Sequence, residues 1–265
     1  MTADARPAGA RPAGARPANA LVAQWKAEVR LSLRQGEQLL VSLGIPVLVL
    51  VFFSLVGVLP ERTDVAALVA DPKPVDSLAP AVLALAIMST AMVSLGIGTG
   101  FERYYKVLKR LGATPLGRPR LITAKIAMVL ALEAVQLVVL LPLSLALGWQ
   151  SGGAVWLVVP AYVLGTAAFA GLGLLMAGTL KGTINLALCN GLYLVLLLFG
   201  GIVVPPERLP GALGSLAQVL PSGALADVLF GALTPGAPTS ASAWIVLLVW
   251  AVVLPALAIR FFRWE

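Results

Sequence analysis

Runs of about 18 or more apolar residues recur along this chain, and the short connections between them hold nearly all of its charge. A helix rises ~1.5 Å per residue, so such a run matches the roughly 30 Å hydrocarbon core of a bilayer. Within that core every backbone N–H and C=O needs an internal partner, which makes each run a helix. Composition agrees, with 59% hydrophobic and 12% charged residues, where soluble domains sit nearer half and a quarter. The mean hydropathy is +0.94. The expected fold is therefore an all-α membrane protein with six transmembrane helices, at about 39–59, 78–100, 122–147, 154–180, 184–204 and 242–261. The first run begins near Leu39, too far along for a signal peptide, and reads as a retained span.

The net charge of +7 does not mark a nucleic-acid binder, because the basic residues cap the spans instead of forming one basic face. Their placement orients the chain. Sixteen of the 19 Lys and Arg residues fall before the first span, in 103–125, at Lys181 and at Arg260 and Arg263. Arg62, Lys73 and Arg208 lie on the other side, outnumbered by Glu61, Asp64, Asp71, Asp76, Glu207 and Asp227. Six spans with the N-terminus and C-terminus both cytoplasmic satisfy that asymmetry, giving a multi-pass protein of the plasma (inner) membrane.

Histidine is absent and Cys189 is the sole cysteine, which excludes a His base, a His-bound metal and a disulfide framework. Residues 1–19 contain an Ala/Arg/Pro/Gly repeat whose proline spacing opposes a helix, so a disordered tail is expected. From 20 to 38 the pattern changes. Leu21, Trp25, Val29 and Leu33 recur every four residues with Lys26, Arg30 and Arg34 beside them, the signature of a basic amphipathic helix on a membrane surface.

Two connections carry further information. In 101–125, Phe101, Tyr104, Tyr105, Leu108 and Leu111 follow i, i+3, i+4 spacing, with Arg103, Lys106, Lys109 and Arg110 opposite. One amphipathic helix over Phe101–Leu111 is expected, ended by Gly112 and a turn at Thr114-Pro115. In 205–241, Leu209, Leu213, Leu216 and Leu220 have helical spacing, Pro221 interrupts, and Ala224–Leu233 is apolar but short. That predicts a re-entrant hairpin within 205–235 at the outer face.

The ordered set Glu102-Arg103, Leu108-Lys109-Arg110-Leu111, Ala113-Thr114-Pro115-Leu116, Leu121 and Lys125 resembles the cytoplasmic signature of ABC type-2 exporter permeases. Ala170-Gly171-Leu172-Gly173, Gly200 through Pro205, Leu209-Pro210, Leu220-Pro221, Asp227 and Gly231-Ala232-Leu233 extend the resemblance, which covers roughly 20–262. Departures are Ala124 where glycine is usual, Tyr104-Tyr105 in place of Gly-Thr, and the missing arginine after the outer aspartate, where Phe230 stands.

The resemblance implies one membrane domain, 20–265, with 20–38 as an elbow helix. It also implies a coupling helix that docks on a separate nucleotide-binding subunit through Glu102, Arg103, Tyr105, Leu108, Lys109, Arg110, Leu111, Thr114 and Pro115. Pro205, Leu209, Pro210, Pro221 and Asp227 would form an extracellular gate. Implied partners are that ATPase subunit, a second permease copy or paralogue, and membrane lipids, with no nucleic acid. ATP and Mg would be used by the partner, and this chain would hold no cofactor of its own.

The residues themselves agree that hydrolysis happens elsewhere. The chain contains no G-x-x-x-x-G-K-[ST] phosphate loop. The GIGTG of Gly96–Gly100 ends a span, where small residues serve close helix packing, and Gly165, Gly171, Gly173, Ala177 and Gly178 read the same way. No catalytic residue and no metal ligand is expected, so the chain is not itself an enzyme.

Glu133 is the acidic residue inside a span, and such residues are functional candidates by default. It either lines the pathway or, protonated or paired with Gln136 nearby, holds helices together. Asn185 and Asn190, five apart, do not share a face cleanly. The function expected is export of a hydrophobic or amphipathic drug, lipid or lipid-linked molecule. The alternatives are a polysaccharide or glycolipid exporter within the same family, or a secondary transporter without an ATPase. The last would want an inverted repeat with broken helices; no such repeat is visible.

Overall fold

The structure, a computed structural model, describes residues 17–34, 36–57, 68–69, 71–114, 116–202 and 209–264. Most of the expected tail, the connection 58–67, Pro115 and the gate residue Pro205 lie outside the described residues. No strand occurs among the described residues.

The chain begins with α1 (Pro17–Arg34) and α2 (Gly36–Val56). The first three residues of α1, Pro17, Ala18 and Asn19, fall in the stretch expected to be a disordered tail. Proline is tolerated in the first turn of a helix because its missing N–H would have no partner there. α2 ends at Gly57, whose φ of +63° a side chain would rarely adopt.

The next span is built from three pieces. α3 (Pro74–Ile87) passes into a π-helical segment, Met88–Ser94, which passes into α4 (Leu95–Tyr104). A short α5 (Val107–Gly112) follows, and then α6 (Gly117–Ala146). A 3-10 turn, Val155–Leu157, leads to α7 (Val158–Thr179), and α8 is Gly182–Phe199. The remaining helices are α9 (Gly211–Val219), α10 (Pro221–Leu233) and α11 (Ala241–Phe261).

Five described segments are long and apolar enough to cross a membrane: Pro74–Tyr104, Gly117–Ala146, Val155–Thr179, Gly182–Phe199 and Ala241–Phe261. α9 and α10 meet at 77° and make a sixth if the bent pair counts as one. The first expected span is the shorter case, because the apolar part of α2 is Ser42–Val56. Its first turn holds Gly36, Glu37 and Gln38, polar residues that lengthen the helix without lengthening its apolar stretch. The chain is a multi-pass membrane protein.

Two elements form the centre. In Pro74–Tyr104, 72% of the apolar window is buried, and in Val155–Thr179 61%, against 28% in α6, 17% in α8 and 28% in α11. The outward residues of the peripheral helices, such as Val138, Leu194, Leu198 and Val252, are apolar and exposed, a surface that suits lipid.

Glycine permits the central contact. A Cβ on Gly173 of α7 would stand 2.6 Å from the Met92 carbonyl oxygen in the π segment, and one on Gly96 3.0 Å from the Gly173 Cα. On another side of α7, a Cβ on Gly171 would lie 2.5 Å from the Pro255 nitrogen of α11. These small residues let backbones touch, so packing surface replaces side-chain bulk.

Leu220, between α9 and α10, is extended at φ −77° and ψ 148°. Pro221 disfavours helical geometry in the residue before it and opens the next helix at its first position. The sharp bend is thus written in one dipeptide. All of α10 is buried apart from half-exposed Asp227, whereas Leu213, Leu216 and Val219 of α9 are exposed. Trp250 of α11 donates its indole N–H to the Val219 carbonyl at 2.9 Å and holds the corner.

Candidate functional site

Where α4 ends and α6 begins, three charged side chains from three helices converge. Lys125 of α6 has a side chain only 1% exposed. Its Nζ lies 2.9 Å from Glu102 Oε2 and 3.1 Å from Glu28 Oε1. Gln24, one turn before Glu28 on α1, donates to the same Glu28 carboxylate at 2.8 Å. A cation excluded from water is costly unless paired and hydrogen-bonded. Two carboxylates compensate this one, and together they bind α1, the second-span element and α6 into one junction.

The helix packing explains the placement. α1 lies along α6 with Trp25 and Val29 half buried against the core, so part of the apolar face expected to meet a membrane surface meets protein instead. Glu28 follows them around the helix and turns inward to Lys125. Val22, Lys26 and Arg30 remain exposed.

The expected single helix Phe101–Leu111 is broken. α4 stops at Tyr104, Lys106 takes the left-handed conformation at φ +61°, and α5 starts anew at Val107. The break rotates the second half, so the i, i+3, i+4 stripe does not form one face. Leu108 is fully buried and Leu111 packs half-buried on the core, while Tyr104 and Tyr105 are 67% and 68% exposed. Lys109, Arg110 and Thr114 are exposed, and the Thr114 hydroxyl closes α5 by donating to the Leu111 carbonyl at 2.6 Å.

Arg103 points inward as well. Its guanidinium donates to the Ala177 carbonyl at 3.0 Å and the Leu180 carbonyl at 3.1 Å, satisfying the free carbonyls at the end of α7. A C-terminal strap adds to this end. Phe262 is buried, Arg263 N–H donates to the Gly178 carbonyl at 3.1 Å, and Trp264 lies against Gly112. Of the nine residues expected to act in coupling, Glu102, Arg103 and Leu108 are engaged inside the molecule. Tyr105, Lys109, Arg110 and Thr114 form its outer surface, Leu111 lies between, and Pro115 is outside the described residues.

The other end of the central span is tied by Asp76, 2% exposed. Its carboxylate accepts the Lys73 N–H at 2.8 Å and the Gln150 N–H at 2.7 Å, fastening the α6–α7 connection to the start of α3. Among the expected gate residues, Leu209 is half buried, Pro210 exposed and Pro221 buried, with Asp227 half buried in α10.

Between the two ends sits a polar group inside the spans. Glu133 of α6 is 0% exposed and accepts a hydrogen bond from the Thr166 hydroxyl of α7. Gln136, the partner in one of the two readings of Glu133, bonds elsewhere: its amide donates to the Ser42 carbonyl of α2 at 2.9 Å and to Thr90 Oγ1 of the π segment at 3.0 Å. Tyr162, one turn before Thr166 on the same face of α7, is 3% exposed. Asn185 is buried and donates to the Gly96 carbonyl at 2.9 Å, while Asn190 is exposed.

Sequence reading overlooked Glu28, Tyr162 and Thr166. A lone acid on the polar face of a basic helix was the available sign for Glu28. Tyr162 and Thr166 stand four apart in an otherwise apolar span, which puts them on one face.

The model of the ABC-2 type transporter family matches residues 19–233. No curated protein matches the chain.

Proposed function

The chain belongs to the ABC-2 type transporter family, and on that premise we propose that it is the permease subunit of an ATP-driven exporter, moving a hydrophobic or amphipathic drug, lipid or lipid-linked molecule outward across the plasma membrane. A separate subunit hydrolyses ATP with Mg, and two permeases, identical or paralogous, enclose the pathway. Both termini are cytoplasmic, which makes the Lys125 junction the inner end and the Asp76 end the outer one. α1 is the elbow helix along the inner surface, and α9–α10 is the re-entrant hairpin at the outer side.

The observation that carries this reading is the junction of Lys125 with Glu102 and Glu28. Glu102 stands three residues before the exposed Tyr105 and seven before Lys109. A force applied to that outer surface therefore passes through the ion pairs into α1, the central span and α6 at once. A surface without such ties would move alone. The exposed Tyr104, Tyr105, Lys109 and Arg110 supply the aromatic and cationic chemistry of a docking patch on an ATPase.

The test is co-expression with a nucleotide-binding subunit, co-purification, and ATP-dependent transport in proteoliposomes. Lys109→Glu with Arg110→Glu abolishes co-purification and transport while thermal stability stays within about 0.5 kcal/mol, since both side chains are exposed. Transport that persists with no ATPase present overturns the reading in favour of a secondary transporter.

A further inference from the structure

The geometry points to the oxygen cluster around Glu133 as a binding site for the ammonium group of an amphipathic amine. That such amines are also carried by the protein rests on the permease reading; that they bind does not.

Glu133 of α6 is bonded across the seam to Thr166 of α7, Tyr162 stands one turn before Thr166 on the same face, and Gln136 lies three residues after Glu133; Glu133, Tyr162 and Gln136 each have an atom left over. Glu133 Oε2 takes the Thr166 hydroxyl, while Oε1 has no hydrogen-bond partner among the described residues. The Tyr162 hydroxyl has none either. Gln136 commits its amide nitrogen to Ser42 and Thr90, leaving its Oε1 without a partner. Glu133 and Gln136 are three apart on α6, and Tyr162 and Thr166 four apart on α7, so each pair occupies one helix face.

The leftover groups share one character. The Gln136 oxygen is an acceptor only, the Glu133 oxygen is one in its ionised form, and the third is a hydroxyl that also accepts. The lysine on the same helix, Lys125, lies two turns nearer the inner end and is held between Glu28 and Glu102. No cation thus bonds Glu133 among the described residues.

An unpaired buried acceptor calls for an explanation, and a water, ion or ligand that completes it is one. A water would donate two hydrogen bonds and bring no charge. A primary ammonium brings three donors and the positive charge a carboxylate requires.

The site is closed in this conformation, with Glu133 fully buried. It lies between a central helix, α7, and a peripheral one, α6, so parting that seam opens it without dismantling the core.

The experiment uses the purified full chain in lipid nanodiscs and two fluorescent probes, dansylcadaverine, a primary ammonium, and its neutral N-acetyl derivative. The wild type is expected to bind the ammonium probe saturably and at least about tenfold tighter than the acetylated one. Glu133→Gln should remove that tenfold preference without changing binding of the acetylated probe, and Glu133→Asp, which keeps the charge, should retain part of it. Equal binding of both probes to the wild type, or an unaltered preference in Glu133→Gln, overturns the proposal and leaves the cluster a hydrogen-bonded helix clamp.

If Glu133→Gln does not yield folded protein, Tyr162→Phe decides. It keeps the carboxylate and removes one leftover oxygen, so the ammonium preference should fall severalfold, and no change overturns the proposal. Binding needs no ATPase. A negative result here leaves the permease reading intact, and failure to co-purify an ATPase leaves this result intact.

Discussion

Glu102 and Lys125, 23 residues apart in the chain, meet at 2.9 Å where the central span and α6 share one end. With Glu28 on the other side at 3.1 Å, the lysine is the one cation serving two carboxylates from two other helices.

Replacing Lys125 by Met should therefore cost more than replacing either acid. It leaves two carboxylates facing each other without a cation, and breaking a buried pair from one side costs about 3–5 kcal/mol. The lower end applies, because the Glu102 side chain is 32% exposed and solvent screens it. Glu28→Gln should cost clearly less, since Lys125 keeps Glu102. Thermal unfolding in detergent checks the order; equal losses for the two variants would contradict it.

Two glycines in neighbouring elements should behave oppositely. A Cβ on Gly173 meets Met92 backbone at 2.6 Å and 3.1 Å, atoms that cannot swing away. Gly173→Ala must push α7 off the π segment, a loss of about 1–3 kcal/mol. Nothing lies within 4 Å of a Cβ on Gly98 in α4, so Gly98→Ala should be neutral or stabilising by up to about 1 kcal/mol. Paired melting curves separate them.

Arg103 should matter for the end of α7 even in the absence of any partner. It donates to the Ala177 and Leu180 carbonyls, and hydrogen bonds from a charged donor contribute about 1.5–3 kcal/mol. Half exposure reduces this, and Arg103→Leu is expected to lose about 1 kcal/mol. The diagnostic is amide exchange, which should accelerate locally around 177–185 while the opposite end, near Asp76, is unchanged.

Lys106 separates backbone shape from charge. Its φ of +61° costs an L-residue roughly 1–2 kcal/mol. Lys106→Gly relieves that and should leave stability equal or higher, whereas β-branched Lys106→Val should destabilise and disturb the α4–α5 corner. If the two variants unfold at the same temperature, the corner is not held by that conformation.

The membrane character, the helical class and the approximate places of the spans were legible in the apolar runs, because lipid forces every such run to satisfy its own backbone. The bend before α10 was legible for an equally local reason: Leu220 precedes Pro221. The polar role of 101–125 was visible in its charges, and the close-packing role of Gly171 and Gly173 in their spacing.

What periodicity missed was direction. It expected one continuous stripe over Phe101–Leu111, but a single left-handed residue, Lys106, turns Leu108 into the core and leaves Tyr104 and Tyr105 outside. For Glu133 it left a pathway role and a helix-holding role open, with Gln136 as the neighbour on offer in the second; the partners came from other helices, Thr166 for Glu133 and Ser42 and Thr90 for Gln136.

The sequence alone determined that this chain must be a set of apolar helices in a membrane, since that follows from the solvent each run can tolerate. Only the tertiary structure decided that Glu28, Glu102 and Lys125 form one junction and that Glu133 pairs with Thr166. Those pairings depend on how separate helices rotate and approach one another, which packing contacts such as those at Gly96, Gly171 and Gly173 decide and spacing within one helix does not.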